Sequence, residues 1–155
     1  MLYLDSSALV KRYFKEKGSR ALHARFDGGG AIYTSVLSFA EVHGAIARAF
    51  RMKEVGSREF ANLREAFESD WSIGLSPLEV SLPTMIDLPK LVEQYPLKAS
   101  DAIHLSAAHW LRDAIQLRSG GSLVREPVEF WVADQRLAQI ALKCGLQVFN
   151  PEDED

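Results

Sequence analysis

Short apolar runs alternate with longer segments of helical periodicity along this chain of 155 residues. Apolar runs that are rich in β-branched and aromatic residues predict short strands. Five such runs occupy residues 2–4, 31–34, 78–82, 128–133 and 146–149. Apolar positions that recur every three or four residues predict helices. Such segments occupy residues 8–15, 19–27, 35–53, 57–73, 83–95, 100–111 and 134–143.

This order of elements predicts the fold class. Strands that alternate with helices indicate an α/β fold, in which a mostly parallel sheet of four to five short strands is flanked by helices. Residues 113–127 are polar and contain glycines, so we expect them to form a loop. Ser6 or Ser7 is placed to cap the first helix.

Length and composition are those of one compact domain. We expect this domain to cover residues 1–150 and an acidic, frayed tail to follow over residues 151–155. Cys144 is the only cysteine, which excludes an internal disulfide and a zinc site built from several thiolates. The chain has no signal-peptide layout and no apolar run long enough for a membrane span. These features lead us to expect a cytoplasmic protein.

Charge is distributed unevenly along the chain. The formal net charge of -3 is not typical of a nucleic-acid-binding protein. However, basic residues dominate the segments 11–25 and 48–58, and local basic faces can bind a phosphate backbone on a protein that is acidic overall. The alternative is that these residues form ordinary solvated helix faces.

Four acids lie beside apolar sequence, in places where a sheet-based active site would need them: Asp5, Glu41, Asp101 and Asp134. Asp5 and Asp134 follow predicted strands, and sites in parallel sheets form beyond the carboxyl ends of strands. Burying acids costs free energy unless something neutralises them, and Mg²⁺ or Mn²⁺ binds through carboxylate oxygens. Divalent cations can activate water and stabilise the transition state of phosphodiester cleavage. The acids therefore predict a metal-dependent enzyme that acts on phosphate esters, with RNA as the expected substrate.

His104 lies close to one of these acids in the sequence. It follows Asp101 by three residues, a spacing that can place both side chains on one face of a helix. Because its surroundings are apolar, a buried and hydrogen-bonded histidine is the favoured interpretation over a histidine in direct contact with the site.

Four segments of the chain, each with one of the four acids, resemble the PIN domain, and in particular the VapC ribonuclease toxins of bacterial toxin–antitoxin pairs. The segments read LYLDSSALVK from residue 2, TSVLSFAEV from residue 34, KASDAIHLSA from residue 98 and VADQRL from residue 132. They follow the order of the family and span almost the whole chain. The interval from Asp101 to Asp134 is longer than in compact family members, and we expect the additional residues to form a surface loop.

The resemblance implies a PIN-like three-layer fold and endonuclease activity on single-stranded or loop RNA. It implies that Asp5, Glu41, Asp101 and Asp134 are the catalytic metal ligands and that Ser7 is a supporting hydroxyl near the phosphate. Helix capping is the alternative role of Ser7. A Mg²⁺ or Mn²⁺ cofactor, a homodimer and a neutralising antitoxin protein follow from the same resemblance.

Other functions are compatible with a strand that ends in an acid. A phosphatase of the haloacid-dehalogenase type needs a second aspartate two residues after the first, and that position is Ser7. A catalytically silent RNA-binding or protein-interaction domain of the same fold is the remaining alternative. It predicts no effect of divalent cations on thermal stability, whereas a cation site predicts stabilisation.

Overall fold

The sheet of this protein is entirely parallel. The computed structural model describes residues 1–118 and 127–153. Within them the strands are β1 (Leu2–Leu4), β2 (Ile32–Ser35), β3 (Ser76–Leu78), β4 (Glu129–Trp131) and β5 (Gln147–Phe149). Their spatial order is β3-β2-β1-β4-β5, and every neighbouring pair is parallel. The predicted α/β class with a parallel sheet is confirmed.

Helices connect the strands and cover both faces of the sheet. The helices are α1 (Ser6–Leu9), α2 (Ser19–Asp27), α3 (Leu37–Arg51), α4 (Ser57–Ile73), α5 (Leu88–Gln94), α6 (Ala99–Arg118) and α7 (Gln135–Lys143). None of these described helices combines the length and the apolar character that crossing a membrane requires.

The core is divided between the two faces of the sheet, because successive strand residues point to opposite sides. Tyr3 belongs to a buried cluster that includes residues of α5, α6 and α7, such as Leu91 and Leu105. Leu2 and Leu4 belong to a second cluster, which includes residues of α1 to α4, such as Phe67. The result is a three-layer arrangement of helices, sheet and helices.

The path of the chain creates a crevice at the carboxyl ends of the central strands. From β1 the chain proceeds outward to β2 and β3, and then returns to place β4 on the other side of β1. In parallel sheets, ligand sites form at the carboxyl ends of strands where the direction of winding reverses in this way. Asp5 directly follows β1, and Asp134 directly precedes α7, shortly after β4. Both acids therefore lie at this reversal point.

The first helix is shorter than predicted. α1 ends at Leu9 and a 3₁₀ turn over Val10–Arg12 follows it, whereas the sequence predicted a helix to residue 15. The N-cap residue also differs from the predicted one. The side chain of Asp5 accepts a hydrogen bond from Ser7 N and so caps α1. The predicted capping by a serine is therefore wrong, and Asp5 contributes to the start of its own helix.

β3 ends earlier than predicted. Leu78 pairs with Ser35, the last residue of β2, so the residues after Leu78 have no strand with which to pair. Val80 and Leu82 are 39% and 85% exposed, so the alternation of apolar and polar residues over 78–82 does not correspond to a half-buried strand. A short neighbouring strand, rather than the local pattern, sets the length of β3.

The helix predicted from Pro83 begins later, with α5. The buried hydroxyl of Thr84 accepts a hydrogen bond from Ser81 N at 3.0 Å and donates one to the carbonyl oxygen of Glu79 at 2.6 Å. A side chain that bonds nearby backbone groups in this way stabilises a turn in place of a helix.

α6 is longer than predicted. It runs from Ala99 to Arg118, whereas the sequence predicted a helix to Leu111 and a loop over residues 113–127. Ile115 packs against the buried cluster on the Tyr3 side of the sheet, so an apolar face continues through polar sequence. The part of the predicted loop at residues 119–126 lies outside the described residues.

The acidic terminus is attached to the domain as far as residue 153. Pro151–Asp153 forms a 3₁₀ turn, so the predicted fraying is wrong for these residues, and residues 154–155 lie outside the described part of the chain. Glu152 forms an ion pair with Lys11 at 2.7 Å, and the side chain of Lys11 is only 7% exposed. The hydrogen bond and the charge of Lys11 lower the pKa of Glu152.

Candidate active site

Asp5 and Ser7 connect the ends of the two central strands. Oδ2 of the buried Asp5 accepts hydrogen bonds from Ser7 N at 2.9 Å and from Ser7 Oγ at 2.5 Å. Ser7 Oγ in turn accepts hydrogen bonds from the backbone N–H groups of Ala133 at 3.0 Å and Asp134 at 3.2 Å. Ser7 therefore holds the segment that follows β4 against the segment that follows β1.

A second group of polar side chains surrounds Glu41 on α3. Ser6 Oγ donates a short hydrogen bond to Glu41 Oε2, and His104 Nε2 lies 3.2 Å from the same oxygen. On the other side of the ring, His104 Nδ1 lies 3.1 Å from the hydroxyl of Tyr3 and 3.8 Å from Asp5 Oδ1. His104 is 1% exposed, so a buried imidazole stands between two of the predicted acids.

The acids and His104 shift one another's protonation equilibria. Burial favours the neutral ring of His104, but the charge of Asp5 and the hydrogen bond with Glu41 outweigh burial, so the pKa of His104 is raised. Burial likewise acts to raise the pKa of Glu41, but hydrogen bonds with His104 and Ser6 outweigh it, so this pKa is lowered. Both shifts favour an imidazolium–carboxylate pair, which partly neutralises the buried Asp5 and the half-buried Glu41.

Asp101 brings a third carboxylate to the crevice from the first turn of α6. Burial and then the charge of Asp5 raise the pKa of Asp101, and Asp134 acts in the same direction. A carboxyl group whose pKa responds to two other acids lies close enough to be repelled by them. Ser100 Oγ lies 3.4 Å from Asp101 Oδ1, and Ser100 also contributes to lowering the pKa of Glu41, so it lies near two acids from different helices.

Asp134 differs from the other three acids because its side chain has a structural partner. It is exposed, and its Oδ1 accepts a hydrogen bond from Leu137 N at 2.9 Å, which makes it the N-cap of α7. An acid at this position also interacts favourably with the helix dipole.

The carboxylates of the crevice are of the type that binds divalent cations, but they are not arranged as a complete set of metal ligands. All four acids supply hard oxygen donors, which Mg²⁺ and Mn²⁺ prefer. In the described part of the chain, however, no three His, Cys, Asp or Glu side chains are disposed to hold a metal ion. His104 stands between Asp5 and Glu41, and Asp134 is turned toward the start of α7. A cation could enter only if these carboxylates exchanged some of their present partners for the ion.

Sequence reasoning did not identify every polar residue of the crevice. His104 is buried and hydrogen-bonded as expected, but it also contacts Asp5 and Glu41, so the preference for a histidine outside the site is wrong. Ser6 was considered only as a helix cap, and neither Tyr3 nor Ser100 was singled out. For Ser6, the sequence offered one signal of a role in the site, its position directly after the acid that ends β1. For Tyr3 it offered none, because a tyrosine in a buried strand has the same sequence pattern as any other core aromatic residue.

Half of the lysines and arginines in the basic segment 11–25 form ion pairs within the domain. Arg12 Nε lies 2.9 Å from Asp70 Oδ2, Arg25 lies 3.4 Å from Glu129, and Lys11 binds the C-terminal turn. The cations of this segment that are exposed are Lys15, Lys17 and Arg20. An RNA-binding face at this segment would therefore depend on these three residues.

His104→Leu is expected to lower the free energy of unfolding by about 1–3 kcal/mol, because it leaves buried polar groups without their partner. Tyr3 and Glu41 would each lose the hydrogen bond that they share with the ring. Urea denaturation measures the change, and His23→Leu is the matched control because His23 is exposed. Equal effects of the two substitutions would contradict the role of His104 as the centre of the polar cluster.

Comparisons with known proteins agree with this fold. The family description "PIN domain" matches residues 2–124, so the chain belongs to the PIN domain family. It is similar to Ribonuclease VapC45 of Mycobacterium tuberculosis (strain CDC 1551 / Oshkosh) and to Ribonuclease VapC49 of Mycobacterium tuberculosis (strain ATCC 25618 / H37Rv). Each is 32% identical over 108 residues, which are 70% of this chain and 74% of the relative. The family indicated by the four sequence segments is confirmed, although Asp134 lies beyond the residues that match the family description.

Proposed function

We propose that this protein is a metal-dependent endoribonuclease and the toxin of a toxin–antitoxin pair. The observation that most supports the proposal is that, in a PIN domain, Asp5 and Glu41 lie on either side of His104 and Asp101 is close enough to Asp5 for the Asp5 charge to raise its pKa. The similarity to two proteins named ribonucleases supports RNA as the substrate. The reaction is hydrolysis of an RNA phosphodiester bond.

Asp5, Glu41, Asp101 and Asp134 are the residues that hold the cation, which is Mg²⁺ or Mn²⁺. When bound, the cation offsets the negative charge that develops on the phosphate oxygens during cleavage. The raised pKa of Asp101, to which burial and two neighbouring acids contribute, reflects a concentration of negative charge that a cation would relieve. Asp5 and Asp101 are central, whereas Asp134 approaches from the exposed start of α7.

The hydroxyl and imidazole groups of the crevice position these acids. Ser7 orients Asp5 and joins it to the segment after β4, close to where the phosphate binds. Ser6 and His104 hold Oε2 of Glu41 from two sides. We assign Ser7 a supporting role at the phosphate and His104 a positioning role.

The partners and location follow from the proposed function. As a toxin, the protein binds a neutralising antitoxin and acts on RNA in the cytoplasm, and we propose that it does so as a homodimer. An antitoxin segment that lays a helix or strand on the surface and extends a basic side chain to the acids would block the crevice.

Cation binding is tested by thermal unfolding in MgCl₂ or MnCl₂ against NaCl of equal ionic strength. We expect Tm to rise by about 3 °C when the cation is at roughly ten times its Kd, because a ligand that binds only the folded state stabilises it. Asp101→Asn should remove most of this rise. Asp113→Asn is the matched control, since Asp113 is an exposed acid on the same helix.

Activity is tested on single-stranded RNA with the same cations and with EDTA. Cleavage that requires Mg²⁺ or Mn²⁺ and is lost in EDTA supports the proposal. If neither cleavage nor Tm responds to the cations, the protein is instead a catalytically silent RNA-binding or protein-interaction domain of this fold.

A further inference from the structure

Three hydroxyl groups connect the core of the domain to Glu41. Thr34 Oγ1, on β2, donates a hydrogen bond to the carbonyl oxygen of Leu4 at 2.8 Å. Ser38 Oγ, on α3, lies 2.6 Å from Thr34 Oγ1 and 2.9 Å from Ser6 Oγ. Ser6 Oγ, on α1, donates to Glu41 Oε2. These three groups, from Thr34, Ser38 and Ser6, are called the hydroxyl series below.

Most of the hydroxyl series is shielded from solvent. Thr34 and Ser38 are 0% exposed, and Ser6 is partly buried. Buried hydroxyl groups are nearly always hydrogen-bonded, so the arrangement of hydrogens within the series matters for stability. Thr34 and Ser38 contact Ser6 and a backbone carbonyl rather than an acid, and any effect that they have on Glu41 therefore acts through Ser6.

The hydroxyl series has one hydrogen fewer than it has contacts. Each of its three hydroxyl groups carries one hydrogen. Four oxygen–oxygen contacts, however, lead from the carbonyl oxygen of Leu4 to Glu41. Both ends of the series can only accept, because a carbonyl oxygen and an ionised carboxylate carry no hydrogen. One of the four contacts is therefore always without a hydrogen.

In this structure the contact between Ser6 and Ser38 is the one without a hydrogen. Thr34 uses its hydrogen on the backbone carbonyl, so the contact between Thr34 and Ser38 takes the hydrogen of Ser38. The hydrogen of Ser6 is used on Glu41. His104 Nε2 lies 3.1 Å from Ser6 Oγ and can donate to it, but it supplies no hydrogen between Ser6 and Ser38.

A rotation of the Ser6 hydroxyl alone gives a second arrangement of equal quality. If its hydrogen turns from Glu41 to Ser38, a lone pair of Ser38 Oγ accepts it, and the other hydroxyl groups keep their partners. Ser6 remains hydrogen-bonded, whereas Glu41 Oε2 is no longer held by Ser6. The two arrangements contain the same number of hydrogen bonds and differ in whether Glu41 is available to another partner.

We propose that Ser38 and Thr34 are positioning residues of the cation site, because they provide the second acceptor to which Ser6 turns when Glu41 binds a cation. Thr34 accepts the hydrogen of Ser38 and so leaves Ser38 Oγ able to accept from Ser6. Without this acceptor, release of Glu41 would leave the Ser6 hydroxyl without a protein partner, which lowers the affinity for the cation. The inference rests on the proposed function, since it requires a cation at Glu41.

The proposal is tested by isothermal titration of the protein with MnCl₂, in the absence of RNA. Ser38→Ala should raise the Kd for Mn²⁺ at least about fivefold, because Ser6 then has no second acceptor. The matched control is Ser106→Ala, which should leave Kd within about twofold. Ser106 is also 0% exposed and on a helix, and its hydroxyl has no hydrogen-bond partner among the described residues.

Substitutions of Thr34 test the direction of the hydrogens. Thr34→Val keeps the shape of the side chain but removes the acceptor for Ser38, which would then donate to Ser6 and keep Ser6 on Glu41. We expect Kd to rise in this variant as well. Thr34→Ser retains the hydroxyl and should leave Kd within about twofold of the wild-type value.

A double-mutant cycle with Ser6→Ala distinguishes this role from a loss of structural support. Ser6→Ala removes the bond that competes for Glu41, so its Kd should be no higher than that of the wild-type protein. In the Ser6→Ala background, Ser38→Ala should have no further effect, because no Ser6 hydroxyl remains to be accepted. An equal effect of Ser38→Ala in both backgrounds would mean that Ser38 only supports packing, and would overturn the proposal.

Circular dichroism checks the folding of each variant. If Ser38→Ala does not fold, Thr34→Val and Thr34→Ser provide the decision, and Thr34→Val replaces Ser38→Ala in the cycle. If the wild-type protein binds Mn²⁺ but neither Ser38→Ala nor Thr34→Val raises Kd, the inference is wrong and the proposed cation site is unaffected. If the wild-type protein does not bind Mn²⁺, both are overturned.

Discussion

Asp5→Asn is expected to lower the rate of RNA cleavage at least about 100-fold, because it removes a central negative oxygen from the proposed cation site. The fold should persist. Asn can still accept the hydrogen bond from Ser7 N that caps α1, and Asn is as favourable as Asp at this position of a helix. The measurement is the initial rate of cleavage of a labelled RNA in Mg²⁺ or Mn²⁺, with circular dichroism as the check on folding.

The matched control for this substitution is Asp27→Asn, an exposed aspartate at the end of α2. It makes the same change in charge away from the crevice and should leave the rate unchanged. If Asp5→Asn cleaves RNA as fast as the wild-type protein, Asp5 is not part of the catalytic site. Any cleavage that persists with both variants and with EDTA would point to a contaminating nuclease.

Phe130→Ala is expected to lower the free energy of unfolding by about 3–5 kcal/mol, because it leaves a large cavity in the core. Phe130 is 0% exposed, and its ring stacks on Tyr3 with a centroid distance of 5.6 Å. Tyr3 in turn contacts His104, so this part of the core also supports the polar cluster of the active site. Denaturation in guanidinium chloride, analysed as a two-state transition, measures the loss.

Phe50→Ala is the control for the size of this effect. Phe50 also stacks on another ring, that of Phe60, at 4.7 Å, but it is 39% exposed. We expect a smaller loss of about 1–2 kcal/mol, since a ring that stays partly exposed removes less apolar surface from water and leaves no enclosed cavity when it is truncated. Similar losses for both variants would mean that Phe130 is not the buried support that its position indicates.

The local pattern of the chain predicted most elements of the fold but not all of their ends. α4 runs over Ser57–Ile73 as predicted, because its apolar spacing and its flanking glycines agree. β3 ends at Leu78, because pairing with β2 stops there. α6 continues past Leu111, because Ile115 reaches the core cluster. In both of these cases the boundary depends on a residue far away in the sequence.

The proposed site, like the fold, could be predicted from the local sequence only in part. Each acid could be singled out because it interrupts or follows apolar sequence, and Asp5 and Asp134 could be placed at strand ends. The bridge from Ser7 to the backbone of Ala133 and Asp134 could not be predicted, since it joins residues more than 100 positions apart. The position of His104 between Asp5 and Glu41 has the same origin, because it depends on the packing of α6 against β1 and α3.

By itself, the sequence determined the class of fold and the family and indicated the candidate acids, because periodicity and short motifs are local properties of a chain. Only the tertiary structure decided how these acids are arranged. It placed a buried imidazole between Asp5 and Glu41 and turned Asp134 toward the start of α7. These features depend on distances between side chains that are remote in sequence, and such distances are set when the helices pack on the sheet.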